Sequence, residues 1–241
     1  MINRRAFFSL CVVALASAVP LIPVVVVQGE AGLTPEPLGW RLTAAAVMLG
    51  ALLVYPAAIF CGLRIGGKLG LAAPLTEAWA AGRAPEDTAG RLTAGLALGA
   101  GFGLAGVLIA LGLGSAAGEA DAAGADIIPP WMGAAQAVSA GVGEEILFRF
   151  GLMSLIAWCA WKLLPARDGG VSAFGMWFAV GLAAVVFAAV HGGEGLGAMQ
   201  AVRLLAGAGF GWLFWKRGLE AAICAHFTYN MVLFYGIVLV L

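Results

Sequence analysis

Charged residues are scarce in this 241-residue chain. Asp, Glu, Lys and Arg make up 11% of it and apolar residues 62%, whereas a soluble globular domain has roughly 25% charged residues. The 13 basic and 13 acidic residues cancel, so there is no net charge to attract nucleic acid, and we expect no nucleic-acid partner. This composition is typical of a membrane protein.

Several catalytic and structural signatures are also missing. The four cysteines lie singly in apolar stretches without CxxC spacing, which argues against a disulfide framework or a zinc ribbon. The sequence has no HExxH zinc motif, no GxSG serine loop and no pair of aspartates in the apolar runs. Serine, aspartyl and HExxH-type peptidases that act within membranes are therefore not indicated.

Long apolar runs are abundant. A membrane-crossing helix needs about 20 mostly apolar residues, and seven segments qualify. They are 6–27, 40–63, 92–113, 132–161, 172–191, 196–215 and 219–241. We therefore predict an all-α polytopic membrane protein with about seven transmembrane helices, in a range of six to eight. Residues 1–130 supply N-terminal helices, and residues 131–241 the remainder of a single integrated membrane domain.

The segment 68–90 is too polar and too rich in proline to cross, so it is predicted to be an interfacial helix with a loop. Basic residues occur in every second connection, which places the N-terminus in the cytoplasm. The first segment has an alternative interpretation, because Arg4 and Arg5 precede an apolar run that ends in small residues, as in a cleavable signal peptide. Its apolar run continues to Val27, which favours a retained helix.

Ionisable groups inside a membrane helix are costly and by default mark function. Such groups, together with one amide, are concentrated in the last two-fifths of the chain. They are Glu144, Glu145, Arg149, His191, His226 and Asn230. Arg203 is a further case, which we assign to a structural role. It could pair with Glu194 or Glu145, or its long side chain could reach the membrane surface. Glycines repeated every fourth residue, as at 95, 99 and 103, indicate helix packing.

Helical spacing separates the two adjacent glutamates. Glu145 and Arg149 are four residues apart, so they share a face and can form an ion pair that makes their burial tolerable. Glu144 is rotated by about 100° from Glu145 and is left available as a general base. His226 and Asn230 share a face of their own helix, as do Phe187 and His191.

This set of side chains suits the hydrolysis of a peptide bond. Glu144 can take a proton from water and return it to the leaving amine, while His191 holds the same water. His226 and the Asn230 amide can donate hydrogen bonds to the oxyanion of the tetrahedral intermediate. No cofactor is required by this scheme.

At these residues the sequence resembles the CPBP family, which contains the type II prenyl-CAAX endopeptidases and their bacterial Abi relatives. The motif EExxxR is met at 144–149, FxxxH at 187–191 and HxxxN at 226–230, in order and each in an apolar run. The resemblance covers about residues 131–232 and marks 131–241 as a CAAX-protease-like helical core.

The resemblance implies a glutamic intramembrane endopeptidase whose catalytic residues are Glu144, His191, His226 and Asn230. Glu145, Arg149 and Phe187 would shape the site. The substrate would be a membrane-anchored or apolar protein or peptide surrounded by membrane lipid. The Gly/Ala-rich, short-looped style of the chain is typical of the bacterial cytoplasmic membrane, where prenylated substrates are not expected.

Two alternatives remain open. Glu144, His191 and His226 could instead hold Zn²⁺ with an open position for water. The chain could also be a non-catalytic immunity or transport protein, although it has no internal repeat that would suggest a transporter.

The predicted helix ends conflict with the predicted site. In straight, complete crossings His191 would lie about 30 Å from the inner face and His226 about 10 Å, at about 1.5 Å per residue. We therefore expect staggered or tilted helices, a fifth helix that begins near Met176, or a re-entrant segment.

Overall fold

The computed structural model describes residues 2–30, 39–112, 129–191 and 197–240. Within these residues the regular structure is helical, apart from an isolated antiparallel bridge between Pro165 and Val171. The predicted all-α fold class is confirmed.

The helices follow the apolar runs of the sequence closely. In chain order they are α1 (Arg4–Ala18), α2 (Leu21–Glu30), α3 (Gly39–Arg64), α4 (Pro74–Ala80), α5 (Thr88–Gly112), α6 (Pro130–Glu144), α7 (Ser154–Leu163), α8 (Ala173–Val190), α9 (Ala198–Arg217) and α10 (Leu219–Val240). A 3-10 helix at Gly66–Leu69 precedes α4, and a π-helix at Glu145–Met153 joins α6 to α7.

Five helical segments of the described chain are long and apolar enough to cross a membrane. Large apolar side chains such as Phe8, Leu108 and Phe174 are exposed on these helices, as expected for surfaces that face lipid. The chain is therefore an integral, multi-pass membrane protein. The sixth and seventh predicted segments form α9 and α10, of 20 and 22 residues.

The first crossing differs from its predicted form, which was an unbroken helix over 6–27. A turn at Val19 and Pro20 separates α1 from α2. Proline has no amide hydrogen and its ring clashes with the preceding turn of a helix, so Pro20 interrupts the hydrogen-bond ladder. Residues Arg4–Gln28 still form one apolar segment of 25 residues, so the crossing is kept but broken.

Segment 68–90 contains a short helix and turns. The amide and hydroxyl of Thr76 in α4 both donate to Glu220 Oε1 at 2.8 Å, which attaches α4 to the start of α10. Trp79, one turn later, is exposed. An exposed indole beside a short helix is a common arrangement at a membrane–water interface.

The N-terminal and C-terminal helices form one bundle through the close approach of α5 to α10. A Cβ on Gly95 would lie 2.6 Å from the carbonyl oxygen of Ala221, and one on Gly99 would overlap that of Ala225. Small residues let membrane helices pack at such short distances. The packing role predicted for this glycine stripe is confirmed.

This contact predicts unequal effects for two alanine substitutions in α5. Gly99→Ala should lower the free energy of unfolding by about 1–3 kcal/mol, because the added methyl group must displace the backbone of α10. Gly101→Ala is the matched control, since a Cβ there meets nothing within 4 Å. Thermal unfolding in detergent measures both, and equal stability of the two variants would contradict the packing role of Gly99.

The orientation of the bundle is a separate prediction. Seven crossings with a cytoplasmic N-terminus place the C-terminus on the opposite side, so a reporter fused after Leu241 should be active on the non-cytoplasmic face. A cytoplasmic reporter at this position would show that the number of crossings is even.

Candidate active site

The two glutamates lie where the fourth predicted crossing changes its helical form. Glu144 is the last residue of α6, and Glu145 begins the nine-residue π-helix. A π-helix is rare, and it occurs frequently at functional sites. Here it includes both Glu145 and Arg149. The predicted crossing over 132–161 is retained, with a π-helical part within it.

Glu144 lies between the two histidines. His191 Nε2 is 3.3 Å from Glu144 Oε1, and His226 Nε2 is 3.8 Å from Glu144 Oε2. The Glu144 and His191 side chains remain 26% and 33% exposed, whereas His226 is 3% exposed. The structure therefore brings three of the predicted residues together, with the carboxylate open to a cavity.

Glu145 and Arg149 form the predicted ion pair, and both side chains are fully buried. Arg149 Nη1 is 2.8 Å from Glu145 Oε1, and Arg149 Nη2 donates to the carbonyl of Gly207 at 3.0 Å. The guanidinium also lies over the Phe187 ring, 4.6 Å from its centroid. Several partners thus compensate for the burial of this charge.

Glu145 has a second contact, which the sequence analysis missed. Its Oε1 is 2.8 Å from His226 Nδ1. The two residues lie 81 positions apart, on different helices, so no spacing rule connects them. Glu145 therefore links Arg149 to His226 in addition to forming the ion pair.

Both histidines have Nδ1 against an atom that can only accept a hydrogen bond. His191 Nδ1 is 2.8 Å from the Phe187 carbonyl oxygen, and His226 Nδ1 faces the Glu145 carboxylate. Each Nδ1 must therefore carry the hydrogen. Both Nε2 atoms are then left to face Glu144, as acceptors in the neutral ring and as donors in the imidazolium.

A cavity of about 530 Å³ opens beside these groups. Its wall includes Glu144, His191, His226, Phe187 and Asn230. Asn230 is half-buried, one turn beyond His226 on α10. All four predicted catalytic residues therefore reach one space, and Phe187 forms part of its wall.

The ring of Phe187 contacts both imidazoles. Its centroid is 4.7 Å from that of His191 and 5.5 Å from that of His226. Phe210 stacks on His226, with ring centroids 5.0 Å apart. The two phenyl rings therefore fix the plane of the His226 imidazole.

The two histidines lie closer together along the helix axes in the structure than straight, complete crossings would place them. α8 begins at Ala173, so the expected start near Met176 is wrong. His191 contacts Arg203 of α9, and His226 contacts Phe210 of the same helix. These contacts lie seven residues apart, or about 10 Å along the helix. The Glu144 side chain, reaching from a third helix, spans this separation.

A comparison with family models identifies the C-terminal part of the chain. The model described as type II CAAX prenyl endopeptidase Rce1-like matches residues 126–232. This part of the chain is similar to the CAAX-protease family. Comparisons with curated proteins and with solved structures found no match. The CAAX-protease segment contains Glu144, His191, His226 and Asn230, so the resemblance read from the three motifs is confirmed.

Other residues of the cavity wall lie outside the CAAX-protease segment. Leu21 of α2 and Tyr55 of α3 both line it, and Tyr55 Oη lies directly against Gly143, where a Cβ would overlap it. Neither residue belongs to a motif, and an apolar or aromatic residue in an apolar run usually indicates packing. Their positions could therefore not be read from the sequence.

A zinc ion at Glu144, His191 and His226 was the alternative for the CAAX-protease segment. In the ranges that the structure describes, no group of three or more His, Cys, Asp or Glu side chains is arranged to hold a metal ion. The histidine tautomers do suit a metal, because metal-bound histidines usually donate their other ring N–H to a carboxylate or a carbonyl. The arrangement of the side chains thus argues against a metal ion and the histidine tautomers argue for one, so a measurement of metal content is needed to decide.

Proposed function

We propose that the chain is an intramembrane endopeptidase that hydrolyses a peptide bond of a membrane-associated protein or peptide. The observation that carries this proposal is the 3.3 Å contact between Glu144 and His191 at the wall of a cavity. A carboxylate and an imidazole so placed can hold one water molecule between them and a bound substrate. The CAAX-protease family assignment supports the same activity.

In the first step the water oxygen forms a bond to the carbonyl carbon of the substrate, and the water proton passes to Glu144. The carbonyl π electrons move to the oxygen, which becomes an oxyanion. Glu144 then delivers its proton to the amide nitrogen and the C–N bond breaks. His191 accepts a hydrogen bond from the water through Nε2, because its Nδ1 hydrogen is used by the Phe187 carbonyl.

His226 and Asn230 are the proposed donors to the oxyanion. The His226–Glu145 contact limits this role, because a neutral His226 with its hydrogen on Nδ1 has no hydrogen on Nε2. Donation from Nε2 to the oxyanion therefore requires a hydrogen on both ring nitrogens of His226, with Nδ1 facing Glu145 and Nε2 facing the oxyanion. Glu145 and Arg149 act as positioning residues through this contact.

The substrate class follows from the surroundings of the cavity. Lipid-facing apolar helices enclose the site, so a substrate must enter from the membrane or its surface. We propose a membrane-anchored or apolar protein or peptide, in a bacterial cytoplasmic membrane, without a requirement for a prenyl group. No cofactor is needed in this mechanism.

Comparison of membrane proteomes tests the proposal. Cells that contain the wild-type chain and cells that contain the Glu144→Gln variant should differ in at least one membrane protein or peptide that is shortened only by the wild type. Purified wild-type chain in proteoliposomes should cut the same bond. A shortened species that forms equally with both chains would show that Glu144 does not carry the activity.

A zinc-dependent peptidase is the second candidate, favoured by the histidine tautomers. Under the metal-free proposal, purified protein should contain substoichiometric zinc by elemental analysis and keep its activity after dialysis against a chelator. Stoichiometric metal, with activity lost to the chelator and restored by Zn²⁺, would establish the zinc mechanism instead. Arg217→Gln changes an exposed residue that is paired with Asp87, so it should leave the metal content unaltered and serves as the control.

A further inference from the structure

The cavity that contains Glu144 also contains a cationic side chain. Arg203 of α9 lines it and is half-buried. Its Nη1 donates to the carbonyl oxygen of His191 at 3.1 Å and to Gln200 Oε1 at 3.4 Å. Both acceptors are uncharged, so these contacts orient the guanidinium without neutralising it. Among the described residues no carboxylate forms an ion pair with Arg203. Of its two predicted partners, Glu145 pairs with Arg149 instead, and Glu194 lies outside the described residues.

Tyr229 supplies a second donor in the same wall. It is 4% exposed, and its Oη is buried without a hydrogen-bond partner in the described parts of the chain. Its ring packs against Phe210, with centroids 5.8 Å apart, so the side chain is held in place. A buried hydroxyl without a partner costs folding free energy. That cost is recovered if a ligand in the cavity accepts the hydrogen bond.

We propose that Arg203 and Tyr229 form a subsite that binds a carboxylate of the substrate. This inference rests on the proposed peptidase function. A guanidinium and a phenol together present donors that a carboxylate accepts, and the apolar surroundings strengthen the attraction. Among the described residues, the only acidic side chain that lines this cavity is Glu144. The only basic ones are Arg203, His191 and His226.

The subsite lies close to the bond that is cut. Arg203 contacts the backbone of His191, the residue whose imidazole contacts Glu144. An extended peptide advances about 3.3–3.6 Å per residue, so the bound carboxylate is within a few residues of the scissile bond. It is either the C-terminal carboxylate of the peptide or an Asp or Glu side chain.

Three lipidated peptide pools distinguish these sources. All carry the same randomised apolar sequence and an N-terminal palmitoyl group. The first pool ends in a free carboxylate and the second, neutral pool in a carboxamide. The third also ends in a carboxamide but contains a single internal glutamate. Full-length protein in proteoliposomes should cleave one carboxylate-containing pool with a KM roughly 10- to 100-fold below that of the neutral pool. The favoured pool identifies the source of the carboxylate.

The variants separate recognition from structural support. Tyr229→Phe and Arg203→Gln should raise KM for the favoured pool, leave KM for the neutral pool unchanged, and change kcat little for either. Arg217→Gln, in the same helix but exposed and paired with Asp87 at 2.9 Å, should leave both KM values unchanged. Equal KM values of the wild type for all pools, or a loss in kcat shared by all pools in Arg203→Gln, would overturn the subsite.

Two further outcomes are decisive. If Glu194 neutralises Arg203, the wild type will show equal KM values for the carboxylate and neutral pools, whereas the Glu194→Gln variant will show a lower KM for a carboxylate pool. That result also overturns the proposal. If no pool is cleaved, the peptidase function is contradicted, and the thermal stability of the Glu144→Gln protein then tests the subsite by itself. A carboxylate pool should raise its melting temperature more than the neutral pool does, and equal shifts would refute the subsite.

Discussion

Glu144→Gln is expected to fold normally and to lose turnover by a factor of roughly 10²–10⁴, the contribution of a general base. The amide fills the same volume as the carboxylate, but it cannot accept a proton from water. Glu144 has no ion-pair partner within its own helix, and its contacts to His191 and His226 are 3.3 and 3.8 Å long, so the change removes little stability. Single-turnover cleavage and thermal unfolding in detergent measure the two effects.

Glu220→Gln provides a control for the loss of a partly buried carboxylate. Glu220 accepts two hydrogen bonds from Thr76, and an amide oxygen can accept both, so this variant should stay folded and active. An active Glu144→Gln variant would show that another group activates the water. Retained function of Glu144→Gln in an immunity or transport assay would favour the non-catalytic alternative.

The second large effect is on stability. Glu145→Gln should lower the free energy of unfolding by about 3–5 kcal/mol, because it leaves the fully buried Arg149 guanidinium without its counterion. The double variant Glu145→Gln with Arg149→Met removes both charges and should recover part of this loss. Thermal or denaturant unfolding of the two variants measures the recovery.

The His226 contact adds a distinction that an ion pair alone would not give. The double variant should regain stability without regaining activity, because its His226 loses the Glu145 carboxylate that positions Nδ1. A double variant that is both stable and active would limit Glu145 to structural support. A folded but inactive Glu145→Gln, combined with an active Glu144→Gln, would reverse the roles of the two glutamates.

The parts of this site that could be predicted from sequence are those governed by local geometry. The apolar runs located the helices, and the four-residue spacing of Glu145 and Arg149 placed them together, because helix periodicity determines which side chains share a face. The burial cost of ionisable groups drew attention to His191 and His226. The family motifs then gave a function to this group.

The parts that could not be predicted depend on how distant helices meet. The contact between Glu145 and His226 is set by the packing of α10 against the π-helix, and no local pattern encodes it. Tyr229 resembles an ordinary core residue until the cavity beside it is known. The break at Pro20 could have been predicted, since proline interrupts a helix. An unbroken helix was predicted instead because the apolar run is long enough to cross the membrane.

The cavity wall has a consequence for how such a chain can diversify. The atoms proposed to cut the bond come from residues 144–230, whereas Leu21 and Tyr55 reach the same space from the first two crossings. Substitutions in those crossings would change which peptides fit beside Glu144 and leave the reacting atoms in place. Part of the cavity wall can thus vary in the first two crossings while the residues proposed for the chemistry are preserved.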